Sequence, residues 1–384
     1  MSFSDMTSKE RLLTAIRGGI PDRVPCMPDF SNMIPCRLTG RPFWEIYEEG
    51  NAALYRAYAK AVDYFGIDGW FQTNSAMTFK REKLADIKVT QYRDPIEKNR
   101  YIVHTRYEID GDVLTSSRAL FAADSPAMRE RLMKDLKRDF PIFKKLLGKI
   151  VDCDTPLLEQ QRAMCSDKGV FCLGVSYPGI QAFIGDLTGS TNAAIYACYD
   201  EPEIMDEWAE LIRRDNVRMT EMMLDKKPDM ILLGGSGTLT LSNPELVRKY
   251  ALPTIKDITR LCKQAGIPSM LHSCGRSMAF LKMLYEETDL NCINPLEAPP
   301  MGDVDLSEVK RLYGDKLCLM GNLNTTDMLV HTKEQVIESC RAAIDAAGEN
   351  GGFILSTGDQ LGRDTPDENI FAMVETAKTY GRYR

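Results

Sequence analysis

The sequence predicts an α/β protein folded as a single (β/α)8 barrel, a TIM barrel, and three observations carry that reading. The second half holds short apolar runs that end in small or polar residues: "DMILLGG" (229–235), "IPSMLHSC" (267–274), "DLNCINPLE" (289–297), "KLCLMGN" (316–322) and "GGFILSTGD" (351–359). Continuous apolar runs of this length mark parallel strands buried on both faces. Amphipathic stretches of helical length separate them, and strand, loop and helix in alternation imply right-handed crossovers in a parallel sheet. With these units crowded toward the C-terminus and room for more before them, a closed barrel fits best. Finally, no Gly-x-Gly-x-x-Gly follows an early strand, so the alternative, an open doubly wound sheet, lacks its usual phosphate loop.

Taken from the N-terminus, Thr7 and Glu10 form a capping box ahead of "RLLTAIRGG", because each side chain can satisfy a backbone N–H that the first helical turn leaves free. "NAALYRAYAKAVDYFG" is a second helical stretch and leads into the strand "IDGWFQTNS". The pattern then changes. "IKVTQYRD", "NRYIVHTRYEIDG" and "DVLTSSRALF" are rich in β-branched and aromatic residues, with Asp110-Gly111 as a hairpin turn. They predict an antiparallel excursion over about residues 86–120, packed on the barrel rim or over its mouth. Further on, "NPELVRKYALPTIKDITRLCKQAG" opens with an Asn cap and a proline, "TKEQVIESCRAAIDAAG" runs from Thr332 to Gly348, and "TPDENIFAMVETAKTYG" begins at Thr365 and Pro366. No repeat or long linker interrupts the pattern, so residues 1–384 read as one domain.

A chain of 384 residues with 44% hydrophobic residues can bury a large core. Its net charge of -7, without a run of lysines and arginines, argues against a nucleic-acid groove. The first twenty residues lack the apolar stretch of a signal peptide and no later segment reaches bilayer length, so a cytoplasmic protein without a membrane partner is expected. The eleven cysteines are scattered without framework spacing, which fits reduced thiols; Cys172, Cys262 and Cys292 sit inside apolar runs and read as core.

"SMLHSCGRS" (269–277) is the richest segment chemically. On a strand, positions i and i+2 share a face, so His272 and Cys274 project together. Imidazole nitrogen and thiolate sulfur are both zinc donors, and the pair leaves one or two positions for other groups. In a barrel the C-terminal strand ends converge on one pocket. The other predicted ends carry Gly234, Gly235 and Ser236; Asn294 and Glu297; Asn322; and Ser356, Thr357 and Asp359. Asn294, Glu297 and Asn322 are therefore candidates for handling a substrate. Tyr177, in "GVSYPGIQAFIGDL", and the loop "GGSGTLTLSNP" with Gly235 and Ser236 are candidates for the cofactor-facing wall, where glycine lets a ligand approach the backbone. His104, in an alternating strand, and His331, before a helix cap, read as packed or solvated residues.

"IPDRVPCMP", "LHSCG", "NPLEAPPMGDVDLSEVKRLYGDKLCLMGNLN" and "STGDQLGRDTPDENIFAMVETAKTYGRY" together resemble the uroporphyrinogen decarboxylase superfamily, specifically its branch of zinc-dependent, corrinoid-linked methyltransferases. The resemblance spans almost the whole chain and is densest from about residue 229. It implies a (β/α)8 barrel and, in that branch, zinc held by the His and Cys of an H-x-C-G motif and by a distant Cys that follows a glycine near the last strand. His272 and Cys274 match the first part; the third position falls at Gly358-Asp359, where this sequence has aspartate. Carboxylate oxygen is an acceptable zinc donor, with Glu297 and then Cys318 as the next choices. The porphyrinogen decarboxylases of the superfamily share an arginine-rich segment after a "DRVP"-like motif. Here Arg23, Arg37 and Arg41 are dispersed, whereas bidentate recognition of many carboxylates needs clustered guanidinium groups.

The activity this resemblance implies is zinc-dependent transfer of a methyl group from a small methylated substrate to the cobalt of a separate corrinoid protein. Asp359 in place of a thiolate makes the zinc a harder Lewis acid, suited to an ether oxygen, so the expected donor is a methoxylated compound such as a phenyl methyl ether. No Asp-x-His-x-x-Gly occurs in the chain, so the cobalamin is expected on a partner. The direction of transfer stays open, as does a homodimer. A methylcorrinoid:thiol methyltransferase, a decarboxylase and a non-catalytic barrel are the alternatives.

Overall fold

The computed structural model describes residues 5–73 and 75–383; Asn74, in the predicted strand "IDGWFQTNS", and the termini of the 1–384 domain lie outside the described residues. In chain order the strands are β1 (Gly69–Thr73), β2 (Thr78–Arg81), β3 (Asp86–Arg93), β4 (Arg100–Ile109), β5 (Asp112–Phe121), β6 (Ala127–Glu130), β7 (Ile150–Asp154), β8 (Gly169–Val175), β9 (Met230–Gly234), β10 (Ser269–His272), β11 (Cys292–Asn294), β12 (Cys318–Leu323) and β13 (Phe353–Thr357). Seven of them make one parallel sheet in the order β1-β8-β9-β10-β11-β12-β13. The apolar runs read from the sequence are five of these strands. β11 is the shortest, because Pro295 ends it: a proline has no N–H to continue a ladder.

Alternation along each strand sorts the core into two layers. Cys172, Met230, Leu232, Met270, Cys292, Cys318, Met320 and Ile354 share one buried cluster with Leu12, Ala15 and Ile16 of the first helix (Ser8–Ile16). Their neighbours Phe171, Leu173, Ile231, Leu233, Leu271, Ile293, Leu319, Phe353 and Leu355 pack instead with residues of the surrounding helices. Both faces are thus covered, which is why these strands read as continuous apolar runs.

Eight strands were expected and seven are present in this sheet among the described residues. Between β13 and β1 runs the segment around Cys26, which makes a single parallel bridge to Leu355. Leu355 N–H donates to Pro25 O at 2.9 Å, Met27 N–H to Leu355 O at 2.9 Å, and Asp68 N–H to Cys26 O at 2.8 Å. Pro25 and Pro28 lack N–H groups, so this stretch cannot carry a regular ladder. Fully buried Asp68, just before β1, anchors it from the side: its carboxylate accepts from Arg11 at 2.7 Å, from Arg23 at 2.9 Å and from the Cys26 amide at 2.8 Å.

The β-rich stretch of the first half forms a four-stranded antiparallel sheet, β3-β4-β5-β6, that reaches Glu130 rather than ending near 120. Asp110 and Gly111, with φ of 50° and 84°, turn β4 into β5 in the left-handed conformations that a tight hairpin demands. A separate pair, β2 with β7, is also antiparallel. The capping boxes form at Thr7 with Glu10 and at Thr332 with Gln335. Asn243 caps its helix by accepting from Leu246 N–H at 3.0 Å, but the helix does not run evenly: a π turn at Val247–Ala251 precedes Leu252–Ala265, beside Pro253, whose missing N–H breaks the regular ladder. The last helix spans Asp367–Thr379 with Pro366, not Thr365, at its N-cap. No helix among the described residues is long and apolar enough to cross a membrane.

Candidate metal centre

His272 is the last residue of β10, Cys274 lies two positions beyond it, and Asp359 lies two beyond the end of β13. Although β11 and β12 separate these strands in the sheet, one donor atom from each of the three side chains lies within 4.8 Å of the other two. His272 Nε2 and Asp359 Oδ1 are 3.8 Å apart. Two donors about 2 Å from a common tetrahedral ion stand roughly 3.3 Å apart, so closing this pair on zinc asks for a shift of about half an ångström. The side chain of Asp359 is 39% exposed and that of His272 13%, which leaves one side of the cluster open. Nitrogen, sulfur and carboxylate oxygen are a donor set that zinc accepts.

The cluster faces a cavity of about 710 Å³, lined also by Asp29, Trp70, Phe79, Tyr177, Met219, Met223, Gly234 and Ser236. Its shape depends on glycine at one point: a Cβ on Gly234 would lie 2.4 Å from the Tyr177 ring, so the absence of a side chain there lets Tyr177 lie against the end of β9. Gly235 stands behind this wall rather than on it; a Cβ there would meet His272 O at 3.0 Å. The carbonyl of Ser236 accepts a hydrogen bond from Gln181 Nε2.

Of the three residues read as substrate-handling, none lines this cavity. The Glu297 carboxylate accepts a hydrogen bond from the Gly275 N–H, directly behind Cys274, and so fixes the turn that presents the thiol. Gly275 has φ of 81°, and a Cβ there would collide with Thr240 Oγ1 at 2.1 Å. Asn294 is fully buried at the end of β11, in register with His272, with both amide atoms unpaired within the protein. Asn322 lies on β12 opposite Ser356 of β13. Cys318, buried in the core layer shared with the first helix, is in register with Cys292 and outside the donor cluster. His104 is paired with Thr90 and Ser117 in the antiparallel sheet, and His331 is 3.5 Å from Asp327; neither lines the cavity.

Asp29 was not singled out in the sequence, yet it is a buried carboxylate on the cavity wall. Its N–H donates to Thr357 Oγ1 at 3.0 Å, its carbonyl accepts from Leu361 N–H at 2.8 Å, and its carboxylate accepts from Ser31 Oγ at 2.6 Å. The centre is electronegative. Burial, followed by the Asp359 and Glu297 carboxylates, pushes the Cys274 thiol up to about 12. Burial and Asp359 raise Glu297, against the pull of the Gly275 amide. Burial also raises Asp29, offset by His272 and the Ser31 hydroxyl. A cation in the midst of these groups would favour their charged forms.

Residues 183–380, just over half the chain, match the uroporphyrinogen decarboxylase (URO-D) family. The chain belongs to that family. Methylcobamide:CoM methyltransferase MtbA of Methanosarcina mazei is 28% identical over 266 residues, covering 64% of this chain and 73% of that protein. MtbA of Methanosarcina acetivorans is 28% identical over 167 residues, 43% of this chain and 46% of its own length. The uroporphyrinogen decarboxylase of an Anaeromyxobacter species is 23% identical over 137 residues, 35% of this chain and 36% of that one. Among solved structures, a methyltransferase from Methanosarcina mazei superposes with a TM-score of 0.65 over 98% of this chain and 99% of its own, at 15% identity. That likeness, at such low identity, establishes the shared fold.

Proposed function

We propose that the protein is a methyltransferase that moves a methyl group from a small methoxylated substrate to the cobalt of a separate corrinoid protein, using zinc held by His272, Cys274 and Asp359. The observation that carries this reading is the convergence of these three donors, from the ends of β10 and β13, on the open side of one cavity. Similarity to two methylcobamide:CoM methyltransferases supports the corrinoid link. Zinc, when bound, supplies a Lewis acid for the atom that gives up the methyl group.

The chain's own residues provide the setting. Glu297 and Gly275 hold Cys274 in place, Tyr177 and Trp70 wall the substrate space, and Met219 and Met223 make part of it apolar. Decarboxylation of a porphyrinogen fits less well. Of the arginines in and after the N-terminal motif, Arg23 is spent on buried Asp68, Arg37 on Asp367 and Arg41 on Glu45 and Glu49. A second reading, the reverse transfer from methylcorrinoid to a thiol, is favoured by the names of the two relatives. Assays in both directions decide between them, with purified protein, Co(I) or methyl-Co(III) corrinoid protein, and a panel of methoxyarenes and thiols. His272→Ala and Cys274→Ala are expected to lose most zinc and most transfer while remaining folded. Full zinc in both variants, or methyl transfer without any corrinoid, would end the proposal.

A further inference from the structure

Charge along the cavity wall is one-sided. Among the described lining residues there are two carboxylates, Asp29 and Asp359, and neither lysine nor arginine. Arg276, two residues after Cys274, is exposed and outside the lining. Filling the metal site does not reverse this. A divalent cation held by one imidazole, one thiolate and the Asp359 carboxylate is neutral by formal count, and Asp29 adds either nothing or one negative charge. An anionic substrate would therefore lose its hydration without a positive partner, which is costly in a buried site.

The remaining wall has the chemistry of a flat, uncharged guest. Tyr177 lies against Gly234, where no Cβ can stand, and Trp70 and Phe79 add two further rings. Asp29 is fixed by three hydrogen bonds, to Thr357, Leu361 and Ser31, the Ser31 hydroxyl meeting its carboxylate at Oδ1. On the cavity wall, a carboxylate with room for about four acceptor contacts has capacity left for a guest's hydroxyl.

From this we infer that the cavity selects an uncharged hydroxylated methoxyarene, with its hydroxyl donating to Asp29, and rejects analogues that carry a carboxylate or sulfonate. The inference rests on the methyl-donor reading above and adds to it the substrate's charge and a residue, Asp29, that discriminates by it. Gln72, exposed and also on the wall, is where a positive charge could be added without touching the donor cluster.

Calorimetric titration of the zinc-loaded protein with 2-methoxyphenol, 4-hydroxy-3-methoxybenzoate and tetramethylammonium tests this without any corrinoid. The phenol is expected to bind at least tenfold more tightly than the benzoate. Gln72→Arg should narrow or invert that ratio by gaining affinity for the benzoate, and Asp29→Asn should weaken the phenol. Gly234→Ala, which displaces Tyr177, should weaken every arene. Equal or tighter binding of the benzoate by the unaltered protein overturns the inference, as does no binding of any arene or a preference for tetramethylammonium. Because binding is read apart from transfer, a protein that binds 2-methoxyphenol selectively but never demethylates it would refute the methyl-donor reading and leave the charge selection standing.

Discussion

Asp359 is where the proposed chemistry can be tested most sharply. Its carboxylate accepts from Gln360 N–H at 2.8 Å, and its side chain is 39% exposed. Asp359→Ala should therefore change the folding stability of the metal-free protein by no more than about 0.5 kcal/mol, as surface substitutions do. Its effect on metal should be large. Zinc sites with four protein donors bind with apparent free energies of roughly 10–16 kcal/mol, or about 3 kcal/mol per donor, so losing one should weaken zinc about a hundredfold or more. Asp359→Cys should keep zinc, because a thiolate replaces the carboxylate, yet slow the cleavage of an oxygen-bound methyl group through a softer, more charge-rich ion. The assay is competition for zinc against a chromophoric chelator, alongside methyl transfer from matched oxygen and sulfur donors. An Asp359→Ala protein that binds zinc within threefold of the unaltered one would remove Asp359 from the ligand set, and the argument for an oxygen-bound methyl group with it.

Other consequences concern the frame. Asp68→Ala leaves Arg11 and Arg23 buried without their shared carboxylate and should cost about 3–5 kcal/mol in urea unfolding; a loss below about 1 kcal/mol would mean that water replaces the carboxylate. Asp94 should titrate near 2, because the Ile96 N–H, the Arg100 guanidinium and the Glu97 N–H all hold its charged form. Its native pKa is depressed, so its contribution is complete above the unfolded value of about 4 and is lost as pH falls toward 2. Carboxyl chemical shifts followed by NMR would show this, and a midpoint near 4 would contradict it.

Much of the frame could be read directly because the strands of the parallel sheet are buried on both faces and several helices carry a side-chain cap at their start. The runs around Leu232, Leu271, Leu319 and Leu355 and the caps at Thr7 and Thr332 needed no long-range information. His272 and Cys274 could be paired because residues two apart in extended chain share a face, although β10 itself ends at His272 and Cys274 lies in the loop beyond it. Bringing Asp359 to them depended on the resemblance, since a contact across intervening strands leaves no periodic trace. Asp29 was missed because prolines hide the strand-like character of "VPCMPD", although that stretch obeys the same rule as the others, an apolar run ending in a polar residue. Glu297 was read for its charge, while its use depends on a backbone amide that no sequence pattern reports.

The seam around Cys26 gives the wall of the cavity a distinct mechanical character. Elsewhere a strand is gripped by ladders on both sides; here an irregular segment spans from β13 to β1 and carries Asp29 just past its end. Backbone amides on such a segment open with less loss of structure than those of continuous strands. Hydrogen exchange should accordingly be faster at Met27 and Leu355 than at the ladder amides of β9 and β10. Asp29 is thereby mounted on an irregular segment, while His272, Cys274 and Asp359 stand at or just beyond the ends of regular strands.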